Sequence, residues 1–269
     1  MKGNETPFWP ASWLDPSGIR ADKPRTTGIT MVIDKGLGLR AAQDCIATAS
    51  PYMDVYKIGF GTAVLYPMEQ LQQKVELAKA NQLHVMPGGT FFEICCAQAP
   101  LESYLARMKA IGFNALEISD GTLPLTNDQR HRAISLAAEA GFTVYSEFGK
   151  KTSDYKADIN QLLETLEADL YAGASYVIVE ARESGNVGVF SESGEMDTDF
   201  LHQVTGLAGE QAKRLIWEAP QKHQQVAMLL ELGLDVNLGN IAPAEILSLE
   251  ALRRGLRGDT TVCVLTGRR

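Results

Sequence analysis

The chain has 269 residues, 45% of them hydrophobic, and a formal net charge of −8. This length suits a single barrel-sized domain with a substantial core. The negative charge excludes a general nucleic-acid-binding role, so any anion site must be built from a local cluster of Lys and Arg. The chain has no run of 18 apolar residues and its first residues, MKGNETPFWP, lack an apolar stretch. We therefore expect neither a membrane span nor a signal peptide.

The four cysteines show no paired CxxC spacing, and a chain of this size does not need disulfides to hold its core. The cysteine pattern is typical of a reduced protein, and we expect a cytoplasmic location. We also expect a homo-oligomer with no nucleic-acid or membrane partner.

Eight β-rich runs follow an N-terminal arm. The arm, residues 1–28, is predicted to be irregular because it carries Pro7, Pro10, Pro16 and Pro24. The runs are TMVID (30–34), VYKIGF (55–60), HVMPGG (84–89), NALEIS (114–119), TVYSEF (143–148), SYVIVE (175–180), RLIWE (214–218) and DVNLGN (235–240).

Helical patterns separate most of these runs. Leu101, Leu105 and Met108 fall at i, i+4 and i+7, and Thr126 with Gln129 forms a capping-box pattern. A glycine precedes four of the runs by about two residues, as expected where a helix ends. Eight alternating β and α units predict a (β/α)8 barrel, residues 29–269, as a single domain behind the arm. A doubly wound open sheet is the alternative, weakened because no GxGxxG follows the first run.

Polar side chains follow every predicted strand at the end where a barrel of this kind has its active site. Alternation with period two places Glu117 with Ser119, and Glu147 with Tyr145, on the face toward the interior. In strand order, the polar residues are Asp34 and Lys35; Lys57; Thr90 and Glu93; Glu117, Ser119 and Asp120; Glu147, Lys150 and Lys151; Glu180, Arg182 and Glu183; Glu218 and Lys222; and Asn237 and Asn240.

Carboxylates in this set predict a metal site. Mg²⁺ takes oxygen ligands and usually keeps waters and substrate oxygens in its shell. The four histidines are scattered without HxxH or HExxH spacing, which argues against zinc. We therefore expect Mg²⁺ to be held by some of Glu117, Glu147, Glu180 and Glu218.

Basic residues and glycines at the same strand ends predict an anionic substrate. Glycines let backbone N–H groups approach an anion closely, and Arg and Lys pair with phosphate or carboxylate. A phosphorylated or multiply anionic substrate fits this set. The candidates for binding it are Arg25 on the arm, Lys35, Lys57, Arg182 and Lys222.

At this point several strings resemble those of the phosphosulfolactate synthase family. They are KPRTTGITMVIDKGLGL, YKIGFGT, MPGGTFFE, EISDGT, SEFGKK, VIVEARESG, IWEAPQKHQQ, VNLGNI and LEALRRGLRGDT, which span about Lys23 to Thr260. Two departures are EARESG in place of EGRESG, and Phe148 in place of a smaller residue. The resemblance implies Mg²⁺-dependent addition of sulfite to phosphoenolpyruvate, giving 2-phospho-3-sulfolactate, by an enzyme of the carbon–sulfur lyase class.

That reaction needs an acid. When sulfite attacks the CH₂ carbon, negative charge moves onto the substrate carboxylate, and a proton must then reach the phosphate-bearing carbon. A lysine near other positive charges has a lowered pKa, which suits it to donate a proton. The resemblance favours Lys151 as the acid, with Lys150 as the alternative, and Glu147 as an orienting partner or metal ligand.

Two other functions stay open on the sequence. One is another phosphate-handling barrel enzyme, for example a Schiff-base aldolase that uses Lys57. The other is a non-catalytic relative that acts as a stress or interaction protein, because a plant branch related to this family is associated with heat tolerance. The complete set of charges at the strand ends argues against the second.

Overall fold

The computed structural model describes residues 8–151, 157–181 and 196–267. Within these ranges it contains eight strands, which coincide with the eight runs identified in the sequence. The strands are β1 (Thr30–Asp34), β2 (Val55–Ile58), β3 (His84–Pro87), β4 (Ala115–Ile118), β5 (Thr143–Phe148), β6 (Tyr176–Val179), β7 (Leu215–Glu218) and β8 (Leu238–Ile241).

Helices connect successive strands on the outside of the sheet. Gly112 and Gly173 take left-handed backbone at the ends of α5 and α7, and Thr126 with Gln129 forms the predicted capping box that begins α6. The helices are α1 (Ala11–Leu14), α2 (Leu39–Ala49), α3 (Met68–Ala80), α4 (Gly89–Gln98), α5 (Leu101–Ile111), α6 (Asn127–Glu139), α7 (Ile159–Ala172), α8 (Thr198–Ala208), α9 (Lys222–Leu232), α10 (Ile246–Arg253) and α11 (Gly258–Thr266).

The strands form one parallel sheet in the order β3-β2-β1-β8-β7-β6-β5-β4, which curls into a nearly closed barrel. Both strands at the β3–β4 junction are described in full, and no backbone ladder joins them. Side chains bridge this junction instead. The Asn114 amide accepts from the Val85 N–H (2.7 Å) and donates to the Leu83 carbonyl (3.1 Å), and Glu117 Oε1 accepts from the Gly89 N–H (2.8 Å). The predicted (β/α)8 barrel is confirmed, and the doubly wound sheet is wrong.

The interior of the barrel changes from apolar to charged along five of the strands, β2, β4, β5, β6 and β7. A buried apolar cluster inside the barrel includes Val55, Ala115, Tyr145, Ile178 and Ile216. Two residues further along the same strands, and hence on the same face, come Lys57, Glu117, Glu147, Glu180 and Glu218. Packed apolar side chains therefore fill the interior toward the amino ends of the strands, and the charged groups lie at the carboxyl ends.

The described part of the arm is fastened to α10. The Arg20 guanidinium pairs with Glu250 at 3.0 Å and donates to the Gly28 carbonyl at 2.8 Å. Of the helices in the described ranges, none has both the length and the apolar composition needed to cross a membrane.

Candidate active site

A cavity of about 550 Å³ opens at the carboxyl ends of the barrel strands. It stands where the sequence predicts the site, and it receives four of the predicted carboxylates and two of the predicted lysines. Its lining residues are Ile33, Lys57, Phe60, Gly88, Gly89, Thr90, Glu117, Glu147, Lys151, Glu180, Glu218 and Asn240.

Lys57 rises from β2 into this cavity. Its Nζ lies 2.7 Å from Oε2 of Glu117 and 3.6 Å from Oε1 of Glu218. Burial acts to lower the pKa of Lys57, but the charges of Glu117, Glu218 and Glu147 outweigh it and raise the pKa well above its ordinary value. The side chain therefore stays protonated near neutral pH and forms a cationic part of the cavity wall.

Lys151 supplies the second cation from the loop after β5. Its Nζ lies 2.9 Å from Oε1 of Glu147 and 3.7 Å from Oε2 of Glu180, and it donates to Thr90 Oγ1 at 3.0 Å. Burial acts to lower the pKa of Lys151, but the nearby carboxylates, with Glu147 foremost, raise it above its ordinary value. The expectation of a lowered lysine pKa is therefore wrong, because carboxylates and not cations surround this ammonium group.

Lys150 faces away from the cavity. Its Nζ donates to the carboxylate of Asp120 at 2.8 Å and to the Asp120 carbonyl at 2.9 Å. The same Asp120 carboxylate accepts from Arg130 Nη1 at 3.0 Å, while Arg130 Nη2 donates to the Glu147 carbonyl at 2.9 Å. Lys150 thus belongs to a clamp on the outside of the β4 and β5 ends, and the structure does not place it as a catalytic acid.

Close packing between the loops after β4 and β5 directs Lys151 into the cavity. The Lys151 N–H donates to the Gly121 carbonyl at 3.0 Å. Gly149 has a φ of +129°, and a Cβ there would lie 2.8 Å from Cβ of Glu180. Only glycine meets both requirements, so the glycine of the GKK segment makes the turn that separates the two lysines.

Ser119 and Glu93 position Glu147, the ion-pair partner of Lys151. The Ser119 hydroxyl lies 2.8 Å from Oε1 of Glu147 and 2.5 Å from Oε1 of Glu93. Glu93 Oε2 accepts the N–H groups of Thr122 and Leu123 at 2.9 and 2.6 Å, which fixes the loop after β4. The sequence indicates Ser119 and Glu93 only as polar residues near strand ends. Their contacts could not be predicted, because the partners come from different elements of the barrel.

The described side chains of the cavity carry more acids than bases. Four carboxylates face two ammonium groups among these residues. Burial, reinforced by the charges of Glu218 and Glu147, raises the pKa of Glu180 to about 9. Burial also raises the pKa of Glu218, whereas Lys151 and Lys57 overcome burial and lower that of Glu147 to about 2.

This excess of acidic groups bears on the fit of a divalent cation. Across the described ranges, no group of three or more His, Cys, Asp or Glu side chains is arranged to hold a metal by itself. Mg²⁺ commonly binds through one or two carboxylates and completes its shell with water and substrate oxygens. Glu117 and Glu147 lie closest to ammonium groups, at 2.7 and 2.9 Å, whereas the pairs of Glu180 with Lys151 and of Glu218 with Lys57 are longer, at 3.7 and 3.6 Å. Glu180 and Glu218, with the looser lysine pairs, are therefore the carboxylates that fit such a cation better.

Three other predicted substrate-binding residues, Arg25, Lys35 and Lys222, are not among the lining residues. Arg25 pairs with Asp54 at 3.0 Å, directly before β2 and therefore at the amino end of the barrel, so the structure does not bring it to this cavity. Lys222 begins α9, is half-exposed and pairs with Asp259 at 3.1 Å. Lys35 lies beside the mouth, its Nζ 5.5 Å from the ring centroid of Phe60. Arg182 lies outside the described residues.

The match to known proteins is extensive. Residues 19–259 match the family model described as (2R)-phospho-3-sulfolactate synthase (ComA). The phosphosulfolactate synthase of Methanothermobacter thermautotrophicus is 44% identical, covering 90% of this chain and 94% of that protein. The enzyme of the same name from Methanocaldococcus jannaschii is 39% identical, covering 87% and 93%.

A solved structure supports the fold alone. The 3-hexulose-6-phosphate synthase from Salmonella typhimurium superposes with a TM-score of 0.55 at 12% identity, covering 90% of this chain and all of that one. The comparisons confirm both the family resemblance of the motifs and the barrel fold. The chain belongs to the phosphosulfolactate synthase family of enzymes.

Proposed function

We propose that this enzyme adds sulfite to phosphoenolpyruvate and forms 2-phospho-3-sulfolactate, a reaction of the carbon–sulfur lyase class. Membership of the family supports the substrates. The observation that carries the chemistry is the Lys151 ammonium group, held on the cavity wall by Glu147 at 2.9 Å and Thr90 at 3.0 Å.

The proposed reaction requires the cavity to stabilise negative charge and to supply a proton. Sulfur bonds to the CH₂ carbon, the C=C electrons move into the substrate carboxylate, and an enediolate-like intermediate results. Lys57 and Lys151 are fixed cations in a cavity partly closed to water, so they stabilise that added charge without reorganising. A proton from Lys151 Nζ to the phosphate-bearing carbon completes the product, and the neutral lysine then takes a proton from solvent.

The arrangement around Lys151 suits a donor more than a base. Its raised pKa keeps the ammonium form populated near neutral pH, so a proton is available whenever the intermediate forms. Glu147, held by Ser119, orients the ammonium group. This assigns Lys151 as the acid and Glu147 as its orienting partner.

Mg²⁺ is the proposed cofactor, with Glu180 and Glu218 as its protein ligands. When bound, it would supply positive charge to the carboxylate of the substrate, where negative charge accumulates. A bound cation would also favour the ionised form of Glu180, whose pKa is raised by burial and by the neighbouring carboxylates.

A direct assay tests the proposal. The purified protein is incubated with phosphoenolpyruvate, sulfite and Mg²⁺ in ²H₂O, and the products are analysed by mass spectrometry and NMR. We expect a sulfonated product that keeps its phosphate and carries one deuterium at the phosphate-bearing carbon. Omission of sulfite is the control. Absence of a sulfonated product, or a product without phosphate, would contradict the proposed reaction.

A further inference from the structure

Asn240 in β8 has an amide oxygen with no partner. The residue lines the active-site cavity and is only 8% exposed. In the described part of the chain, its buried Oδ1 has no hydrogen-bond partner. Burying a polar atom without a partner costs free energy, so contacts within the described chain do not explain this oxygen.

The backbone of Asn240 is strained as well. Its φ is +56°, in the left-handed region that glycine adopts without cost. Among the described residues, only Phe60 and Gln82 share this feature without being glycine. Phe60 also lines the cavity and follows β2, so strain occurs on both sides of β1 at the mouth. Such strain is often found at ligand sites, where the surrounding structure holds a side chain in a required position.

The charges of the other lining residues indicate a role for a neutral amide. Among the described residues that line the cavity, both ammonium groups already lie within 3 Å of a carboxylate, and the other charged side chains are acids. An anionic substrate therefore needs further donors that add no negative charge. A half turn of the amide exchanges its oxygen and nitrogen, so Asn240 can offer an N–H or an acceptor to the cavity. Barrels of this type frequently bind phosphate at the loops after β7 and β8, and Asn240 lies at the end of β8.

We propose that Asn240 is a substrate-binding residue whose amide donates a hydrogen bond to an oxyanion of the substrate. This inference rests on the proposed function, in which phosphoenolpyruvate and sulfite both carry such oxygens. The left-handed backbone holds the side chain at the cavity, and the half turn of the amide directs an N–H toward the bound anion.

The test uses Asn240→Gly, which keeps the backbone conformation accessible and removes the amide. Gln82→Gly, at an exposed turn before β3, is the matched control for relief of strain. Calorimetry measures the affinity for phosphoenolpyruvate with Mg²⁺, and steady-state kinetics measure the KM for sulfite. We expect Asn240→Gly to melt no lower than the wild type and to lose about tenfold or more in one of these two quantities. Asn240→Asp should lose more, because a carboxylate repels the oxyanion.

The two measurements identify the source of the anion. A loss in phosphoenolpyruvate affinity assigns the amide to that substrate, and a loss confined to the KM for sulfite assigns it to sulfite. Wild-type values for both in Asn240→Gly would overturn the inference, as would an equal loss in Gln82→Gly. If the wild type forms sulfonated product, only the inference fails in those cases. If the wild type neither binds phosphoenolpyruvate nor forms product, the proposed function fails and the inference with it.

Discussion

Lys150 and Lys151 are neighbours in the chain, yet their ammonium groups lie in different cavities. Lys151 lines the cavity at the barrel mouth, and Lys150 lines a separate cavity of about 300 Å³ bordered by α6 and α7. In the proposed reaction Lys151 serves the substrate, whereas Lys150 holds the loop through Asp120. Substitutions at the two positions should therefore have different kinetic effects.

Removal of the Lys151 amine should abolish most turnover. We expect Lys151→Ala to lose roughly 10²- to 10⁴-fold in kcat, the scale for a positioned acid. Lys151→Arg keeps the charge but does not release a proton, so it should be nearly as slow. Lys150→Arg, which keeps the pairing with Asp120, is the control and should retain most activity. Substantial turnover in Lys151→Arg would refute the acid assignment.

Loss of the outer clamp should slow turnover less. Lys150→Ala and Asp120→Ala remove the same contact, so their combined effect on kcat should be smaller than the sum of the two. We expect each to cost less than about 10²-fold, the scale of a small misplacement, with KM little changed. Fully additive effects in a double-mutant cycle would show that the two side chains act independently.

Activity should require a divalent cation bound by Glu180 and Glu218. Chelation should abolish turnover, and added Mg²⁺ should restore it. Calorimetry should show that Glu180→Gln and Glu218→Gln weaken Mg²⁺ binding by more than the roughly 10- to 100-fold typical of residues that only support a ligand. Glu102→Gln, on the exposed face of α5, is the control. Full activity after exhaustive chelation would exclude the metal.

Lys57 should not form a Schiff base. An amine must be neutral to attack a carbonyl, and the pKa of Lys57 is raised by Glu117 and Glu218, against the effect of its burial. Borohydride treatment with pyruvate should therefore leave the mass of the protein unchanged. A covalent adduct at Lys57 would instead favour the aldolase alternative.

Acid should destabilise the protein through Asp34. Burial acts to raise the pKa of this carboxyl, but hydrogen bonds from Lys74, Tyr56 and the backbone N–H groups of Gly36 and Leu37 outweigh it and lower the pKa. A lowered folded pKa gives stability that is present above the unfolded value of about 4 and is lost as pH falls through the folded value.

Urea unfolding from pH 7 to pH 3 measures this loss. Asp34→Asn should cost about 3–5 kcal/mol at pH 7, because it leaves Lys74 buried without its partner, and its stability should vary less with pH. Asp259→Asn, which removes a surface pair with Lys222, should cost far less than Asp34→Asn. Equal slopes with pH in the wild type and Asp34→Asn would contradict this role.

The sequence predicted the site best where regular strand geometry applies. Period-two alternation placed Glu117 and Glu147 on the inner face, whereas Lys151 was favoured by the family resemblance. Arg25 lies away from the cavity, because local pattern does not say which end of a barrel an arm covers. The pairing of Lys222 could not be foreseen, because its partner Asp259 lies on a helix 37 residues later. The unpartnered amide of Asn240 depends on its three-dimensional surroundings, which spacing does not reveal.

The junction between β3 and β4 couples the charge in the cavity to the integrity of the barrel wall. One oxygen of Glu117 contacts Lys57, and the other accepts the N–H of Gly89 across the junction. Any ligand that draws Glu117 or Lys57 toward itself must therefore also alter this connection. Hydrogen exchange at the Gly89 amide would therefore report a ligand that displaces either side chain.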